Sequence, residues 1–280
     1  MWKLPSLGRG FFALALIGFG VQQFLFGDFV PGRAPAWPAG VPGQLAWTWL
    51  TGLTFVVTGA AVLAAGVLPA RALRRAAYAM AALSGGLIAA WALLRHVPLI
   101  LEDTQFGGAW TMFGKALTLS TGALAVATSL RVEERPEEET GMDERILLLG
   151  RFGLGAFMAA AGVQHFLWEE FVQTLVPAWI PGPLFWTYFA GVALIAAGVG
   201  LVVPATTRLA GTLAGLMVFS WLLMLHIPRA VAAQVVASSR NEWIAVFEAL
   251  AVSGLALLLA DRTVSRAGSP QRTHRGPART

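Results

Sequence analysis

"GVQHFLWEEFVQTLVPAWIPGP", residues 162–183, is a polar, aromatic and proline-rich stretch set between apolar runs, and "GVQQFLFGDFVPGRAPAWPAGVPG", residues 20–43, says nearly the same thing. The likeness extends outward from this pair. "LGR" at 7–9 matches "LGR" at 149–151, and a spacing of 142 residues holds through Gly20/Gly162, Gln22/Gln164, Phe24/Phe166 and Phe29/Phe171. After small gaps Trp47, Gly52 and Gly59 match Trp186, Gly191 and Gly198. Farther on, "WALLRHVP" at 91–98 matches "WLLMLHIP" at 221–228, and "FGKALTLSTG" at 113–122 resembles "FEALAVSG" at 247–254. The reading that fits is an internal duplication.

Composition gives the class of each copy. Apolar residues make up 56% of the chain and charged residues 12%, against about 25% charged in an ordinary soluble domain. Apolar runs recur near 9–26, 45–67, 76–94, 108–130, 146–168, 183–203, 207–226 and 243–260. At 1.5 Å per residue each is long enough to cross a hydrocarbon core about 30 Å thick. The expectation is an all-α, polytopic membrane protein with eight transmembrane helices. Four spans per copy is an even number, so the copies run the same way through the bilayer. They then form two tandem four-helix bundles in parallel orientation, related by a pseudo-twofold axis along the membrane normal. The units are a diverged first copy, 1–130, and a second copy, 146–261. Between them lies a linker, 131–145, with ten charged residues in fifteen, and after them a basic tail, 262–280, read as disordered.

Charge fixes the expected orientation. With the N-terminus cytoplasmic, the cytoplasmic segments hold 15 of the 20 Lys and Arg, and the opposite side holds four: Arg33, Arg95, Arg229 and Arg240. Such an excess places both termini in the cytoplasm of a multi-pass cell-membrane protein. The net charge of +5 then reflects topology and contact with anionic lipid. Nucleic acid is not the partner indicated, because the basic residues flank spans and carry no interleaved aromatics. The first apolar run follows Lys3 and Arg9 as a signal peptide would. Its counterpart at 146–168 is internal, however, so it reads as a retained helix. Cysteine is absent, which removes thiolate catalysis and Cys-ligated metal sites.

The quoted stretch itself reads as a lid. Trp168, Phe171, Val172 and Leu175 fall at i, i+3, i+4 and i+7, opposite Glu169, Glu170, Gln173 and Thr174, which is the pattern of a short amphipathic helix along the membrane interface. Pro177, Pro181 and Pro183 then turn the chain, with Trp179 and Trp186 at headgroup depth. Interfacial anchoring and covering a pocket are both consistent with this pattern. In the first copy Pro31 and Gly32 interrupt the stretch, so that lid is expected to be less helical.

"GVQHF", "EEF", "VPAWIPGP", "WTYFAG", "MLHIPR" and "NEWIAVFEALAVSG" together resemble the DoxX family of small four-helix membrane proteins, over essentially all of the second copy and more weakly over the first. The resemblance implies respiratory-type redox chemistry, with a quinone as ligand and a redox partner subunit. The duplication, and Gln23 where the second copy has His165, depart from the family's pattern.

Ionisable groups within spans are costly, about 2.5–3.5 kcal/mol for Arg, Lys or Asp at a helix centre. Topology brings His165, His226 and Glu248 to the lid half of one bundle. A histidine pair with a carboxylate suits a polar quinone head, donating to a carbonyl oxygen and passing protons. Gln164, Arg229 and Trp179 complete the candidate ligand-binding set. The structural alternative is that the histidines cap helix ends or bond loop carbonyls, while Glu248 pairs with Arg229 or Arg240. The first copy offers Gln23, His96 and Lys115 at matching places. The charge reversal between Lys115 and Glu248 invites a salt bridge between copies, provided the two fourth helices meet at the axis. His96 and His226 are the minimum for a bis-histidine haem, with nothing further to support one. No metal site, phosphate loop or nucleophile with its base is present in the sequence. Three classes of function follow: a quinone- or redox-linked subunit binding a lipid-soluble ligand, a structural or assembly partner, and a small-solute permease. The second copy is expected to carry the working site.

Overall fold

A computed structural model describes residues 4–105, 107–233 and 236–260, with the side chains of 236–238 undescribed. The basic tail therefore lies outside the described residues. All regular structure among the described residues is helical. The long helices are α1 (Leu4–Phe26), α2 (Gln44–Val67), α3 (Arg71–Trp91), α5 (Gly107–Glu134), α6 (Gly141–Leu167), α8 (Pro183–Val202), α9 (Thr207–Trp221) and α11 (Val236–Ala260). Short helices α4 (Val97–Glu102) and α10 (Ile227–Ala232) continue α3 and α9, and α7 (Glu169–Gln173) lies in the second lid.

Seven of these segments are long and apolar enough to cross a membrane: Leu4–Phe26, Gln44–Val67, Arg71–Glu102, Gly141–Leu167, Pro183–Val202, Thr207–Ala232 and Ser239–Ala260. They make this a multi-pass membrane protein in contact with the bilayer. The eighth long helix, α5, has 28 residues but is not among the seven. Its polar content explains the difference: Lys115 interrupts it, and Thr118, Ser120, Thr128 and Ser129 are buried along it. Those groups face other helices, where the hydroxyls bond carbonyls, as Ser120 Oγ does at 2.8 Å from Gly85 O. Large apolar side chains instead point outward elsewhere, among them Trp47, Leu50 and Leu53 of α2 and Phe189 and Val192 of α8. In lipid, such outward apolar faces are the solvated ones.

The neighbours run in a closed circuit: α1, α2, α3, α5, α6, α8, α9, α11 and back to α1. The two groups of four do not close on themselves as separate bundles. Each fourth helix also packs on the first helix of the other group: α11 lies chiefly on α1, α5 lies on α6 as well as on α3, and α5 and α11 also touch. Small residues permit this. A Cβ on Gly8 of α1 would lie 2.5 Å from Gly254 O of α11, so glycine is needed where the two backbones cross.

Contacts recur in pairs. Gly20 meets Gly52 O and Gly162 meets Gly191 O, each so closely that a Cβ would stand 2.5 and 2.6 Å from the carbonyl. Ser120 Oγ donates to Gly85 O and Ser253 Oγ to Gly215 O, both at 2.8 Å. The helix winding also recurs, with π-helical segments at Ala92–His96 and Leu222–His226, just before Pro98 and Pro228. Proline lacks the N–H for an i→i−4 bond and its ring crowds the preceding turn, so the backbone rewinds locally.

The charged stretch at 131–145 is largely helix. α5 runs to Glu134, a 3-10 turn spans Pro136–Glu138, and Thr140 begins α6 through a capping box with Asp143. Arg131 pairs with Asp143, and Arg9 of α1 reaches Glu133 at 2.5 Å.

Candidate functional site: a cavity under the second lid

The ends of the bundle that carry the lids differ in depth. In the first lid Phe29, Val30, Pro31 and Gly32 are all buried and no helix forms, as the proline and glycine led one to expect. In the second, helix is confined to the five residues of α7, shorter than the 168–176 expected, and no residue from 168 to 182 is buried. Tyr188 of α8 donates a hydrogen bond to Glu169, tying α7 to the bundle.

Beneath the second lid is a cavity of about 410 Å³. Phe171 and Leu175 of the lid line it, so this segment covers a pocket as well as meeting the interface. Its walls are mostly apolar, with Phe157, Met158, Leu194 and Trp221 among them, and its ionisable groups are His165, His226, Arg229, Glu242, Glu248, Arg33 and Lys115, beside the neutral Thr118 and Asn241. The volume lies within the usual range for small-molecule sites, about 300–1,000 Å³, and a mostly apolar wall with few polar groups is their usual composition.

The expected site residues divide. His165, His226, Arg229 and Glu248 come together in this cavity. Gln164 does not join them: its Nε2 donates to Thr111 Oγ1 at 2.6 Å, fastening α6 to α5. Trp179 is 68% exposed and outside the lining. His165 Nδ1 lies 2.7 Å from Ala161 O one turn back in its own helix. A carbonyl only accepts, so Nδ1 carries the proton and Nε2 of the neutral ring remains an acceptor. His165 also lies against Trp221, with ring centroids 6.5 Å apart.

The ion pairs correct the expected partners of Glu248. Arg229 is engaged by Glu242 through two bonds, at 2.6 and 3.1 Å. Arg240 pairs with Asp28 at 3.2 Å and lies 5.2 Å from the centre of the Phe26 ring. Glu248, 6% exposed, instead takes the cation of the facing helix, with Lys115 Nζ 2.6 Å from its Oε2. The bridge between the two fourth helices is thus formed. Arg33 Nε stands 3.6 Å from the same Oε2. Glu248 Oε1 and Arg33 Nε are buried and have no hydrogen-bond partner.

Arg33 was missed in the sequence as a cavity residue. A single arginine in an apolar lid was the signal available, but its direction depends on a turn. Gly32 has φ 69° and packs so tightly on Ala116 of α5 that a Cβ would lie 2.7 Å from the Ala116 Cβ. Arg33 itself has φ 52°, an uncommon conformation for a residue with a side chain. The turn thereby sets Arg33 beside Lys115, the residue preceding Ala116.

The first group of helices treats the corresponding residues differently. Gln23, opposite His165 in the repeat, donates to Thr48 O at 2.9 Å and Thr51 Oγ1 at 2.8 Å. His96 is fully buried, with neither ring nitrogen hydrogen-bonded. Phe29 is stacked on Trp91 at 4.6 Å and edge-on to Phe55 at 5.9 Å, and the His96 ring lies 6.5 Å from that of Phe113. No group of three or more His, Cys, Asp or Glu side chains suited to a metal ion occurs among the described residues.

A family model described as a domain of unknown function (DUF8561) matches residues 154–259. The chain is therefore similar to that family over the helices that carry His165, His226 and Glu248, whereas Arg33 and Lys115 come from outside the matched region. No curated protein and no solved structure matches the chain.

Proposed function

We propose that the chain is a duplicated, DoxX-like membrane protein with eight spans and both termini in the cytoplasm, and that it holds a small lipid-soluble ligand in the cavity under its second lid. One observation carries the ligand reading: a mostly apolar chamber of about 410 Å³ whose ionisable groups include the Glu248–Lys115 pair, its carboxylate buried and its cation half-buried. The recurring contacts at Gly20/Gly162, Ser120/Ser253 and the two π-helical segments support the duplication. An even number of spans per copy supports parallel orientation, and α5 serves as the fourth span of the first copy. A quinone identity and a redox partner rest on the DoxX resemblance alone. The ligand's polar head meets His165 Nε2, His226 and the ion pair, and its apolar part rests on Trp221.

The test is to identify the lipid-soluble molecule that co-purifies with the full chain in mild detergent, then to repeat the extraction with His165→Ala and Trp221→Ala. Both variants are expected to lose it while remaining monodisperse. The same molecule at unchanged stoichiometry in both would overturn the reading. For the topology, single cysteines at Ser6 and Glu138 should resist an impermeant maleimide in intact cells, and labelling of either before lysis would sink it.

A further inference from the structure

Five charged side chains line the cavity, and they do not balance. Arg33, Lys115 and Arg229 are cations, and Glu242 and Glu248 are carboxylates. Protonation of either histidine only adds to the excess. Arg229 is spent on Glu242 through its two bonds. Lys115 and Arg33 share one oxygen of Glu248, and Lys115 holds the short contact, 2.6 Å against 3.6 Å. Arg33 is the cation left with unspent donors, and its Nε is buried without a hydrogen bond. The Arg33 side chain is 34% exposed and shares its one carboxylate with Lys115, and a planar guanidinium is matched by an acid that accepts two parallel bonds. The backbone at Arg33, φ 52°, is held in place by the neighbouring turn against α5, which sets the half-buried side chain at the cavity.

The other end of the site is defined by comparison. In the first copy the Phe29 ring lies on Trp91 and Phe55. The matching Trp221 and Leu194 face the open cavity, and the matching Phe171 is 63% exposed. The second site thus keeps the wall on which Phe29 rests in the first, with Phe171 at the rim of the lining and the His165 ring 6.5 Å from that of Trp221.

Resting on the ligand reading above, we infer that the ligand is a monoanionic aryl acid: a carboxylate-type head on Arg33 and Lys115, with a flat ring on Trp221 where Phe29 sits in the first copy. Arg33 is then the residue that selects for charge, and Glu248 Oε1 is free to accept from a hydroxyl or amide donor beside the acid.

The probes are radiolabelled 2-naphthoate and its neutral amide, 2-naphthamide, added to the full chain in nanodiscs of neutral lipid, with binding read by equilibrium filtration. The acid is expected to bind at least tenfold more tightly than the amide. Arg33→Gln should abolish that preference, Arg33→Lys should retain most of it, and Trp221→Ala should weaken both probes by similar factors. Equal binding of acid and amide, or a preference unchanged in Arg33→Gln, overturns the anion assignment while leaving the cavity as a ligand site. Binding of neither probe also overturns the assignment. The broader reading fails separately, when the extracted molecule is indifferent to His165→Ala and Trp221→Ala.

Discussion

The two lids are built from the same words and do opposite things. In the first, Phe29 and Trp37 fold onto Trp91, with Trp37 stacked on it at 5.5 Å and its Nε1 bonded to Val41 O. In the second, the matching Phe171 and Trp179 are 63% and 68% exposed, and Trp221 faces a chamber. The difference begins with two residues. Pro31 and Gly32 end any helix after Phe29 and let the first lid dip until it meets Ala116, whereas "VQTLVPAW" winds through α7 and stays at the rim. The closed lid leaves packed rings beneath it, and the open one leaves a cavity. The closed lid still contributes to the open site, because the same dip that buries Phe29 delivers Arg33 to the cavity of the other half.

The contact between halves gives the largest expected effect. Removing one member of a buried ion pair strands the other, at a cost of about 3–5 kcal/mol. Lys115→Ala and Glu248→Ala should each destabilise the protein by that order in an unfolding titration in a fixed detergent. The double change Lys115→Leu with Glu248→Leu should recover part of the loss, since an apolar pair of similar volume leaves only the half-buried Arg33 without its carboxylate. Additive losses in the double variant would mean that the pair does not hold the halves together.

The lids themselves come next. Phe29 is 3% exposed and packed on two aromatic rings, so Phe29→Ala should cost about 3–5 kcal/mol through the cavity it opens. Phe171→Ala, at an exposed position, should change stability by no more than about 0.5 kcal/mol while speeding exchange of any bound probe. Equal stability losses would show that the second lid also closes, and the contrast between the halves would fail.

Helix content and the polar candidates could be read from the chain because each rests on local patterns: long apolar runs, and lone ionisable groups in or beside them. His165, His226, Arg229 and Glu248, singled out as ionisable groups in or beside spans, line one cavity. Long-range arrangement was not legible in the same sense. Which helix α11 would choose depended on small residues such as Gly8 and Gly254 meeting across more than two hundred positions. Gln164 and Trp179 lie outside the cavity lining, because their spacing fixes a face of the helix or a turn, but not what lies opposite. Arg33 escaped notice because a left-handed backbone at a non-glycine residue has no signature in sequence.

The smallest contrast lies in the paired glutamines just before the lids. Gln164 has a partner in Thr111 Oγ1 at 2.6 Å, so Gln164→Leu removes a hydrogen bond between α6 and α5. A loss of about 0.5–1.5 kcal/mol is expected. Gln22, 3% exposed, has neither amide atom hydrogen-bonded. A buried amide without partners is a penalty that folding has absorbed, and an apolar residue of similar size relieves it, so Gln22→Leu should raise stability by about 1 kcal/mol. Opposite signs at matching positions, measured under identical detergent conditions, would show that the repeat preserves residues more faithfully than it preserves their work. A loss at Gln22 equal to that at Gln164 would instead reveal a partner for Gln22, and the first half would have to be counted as a polar site in its own right.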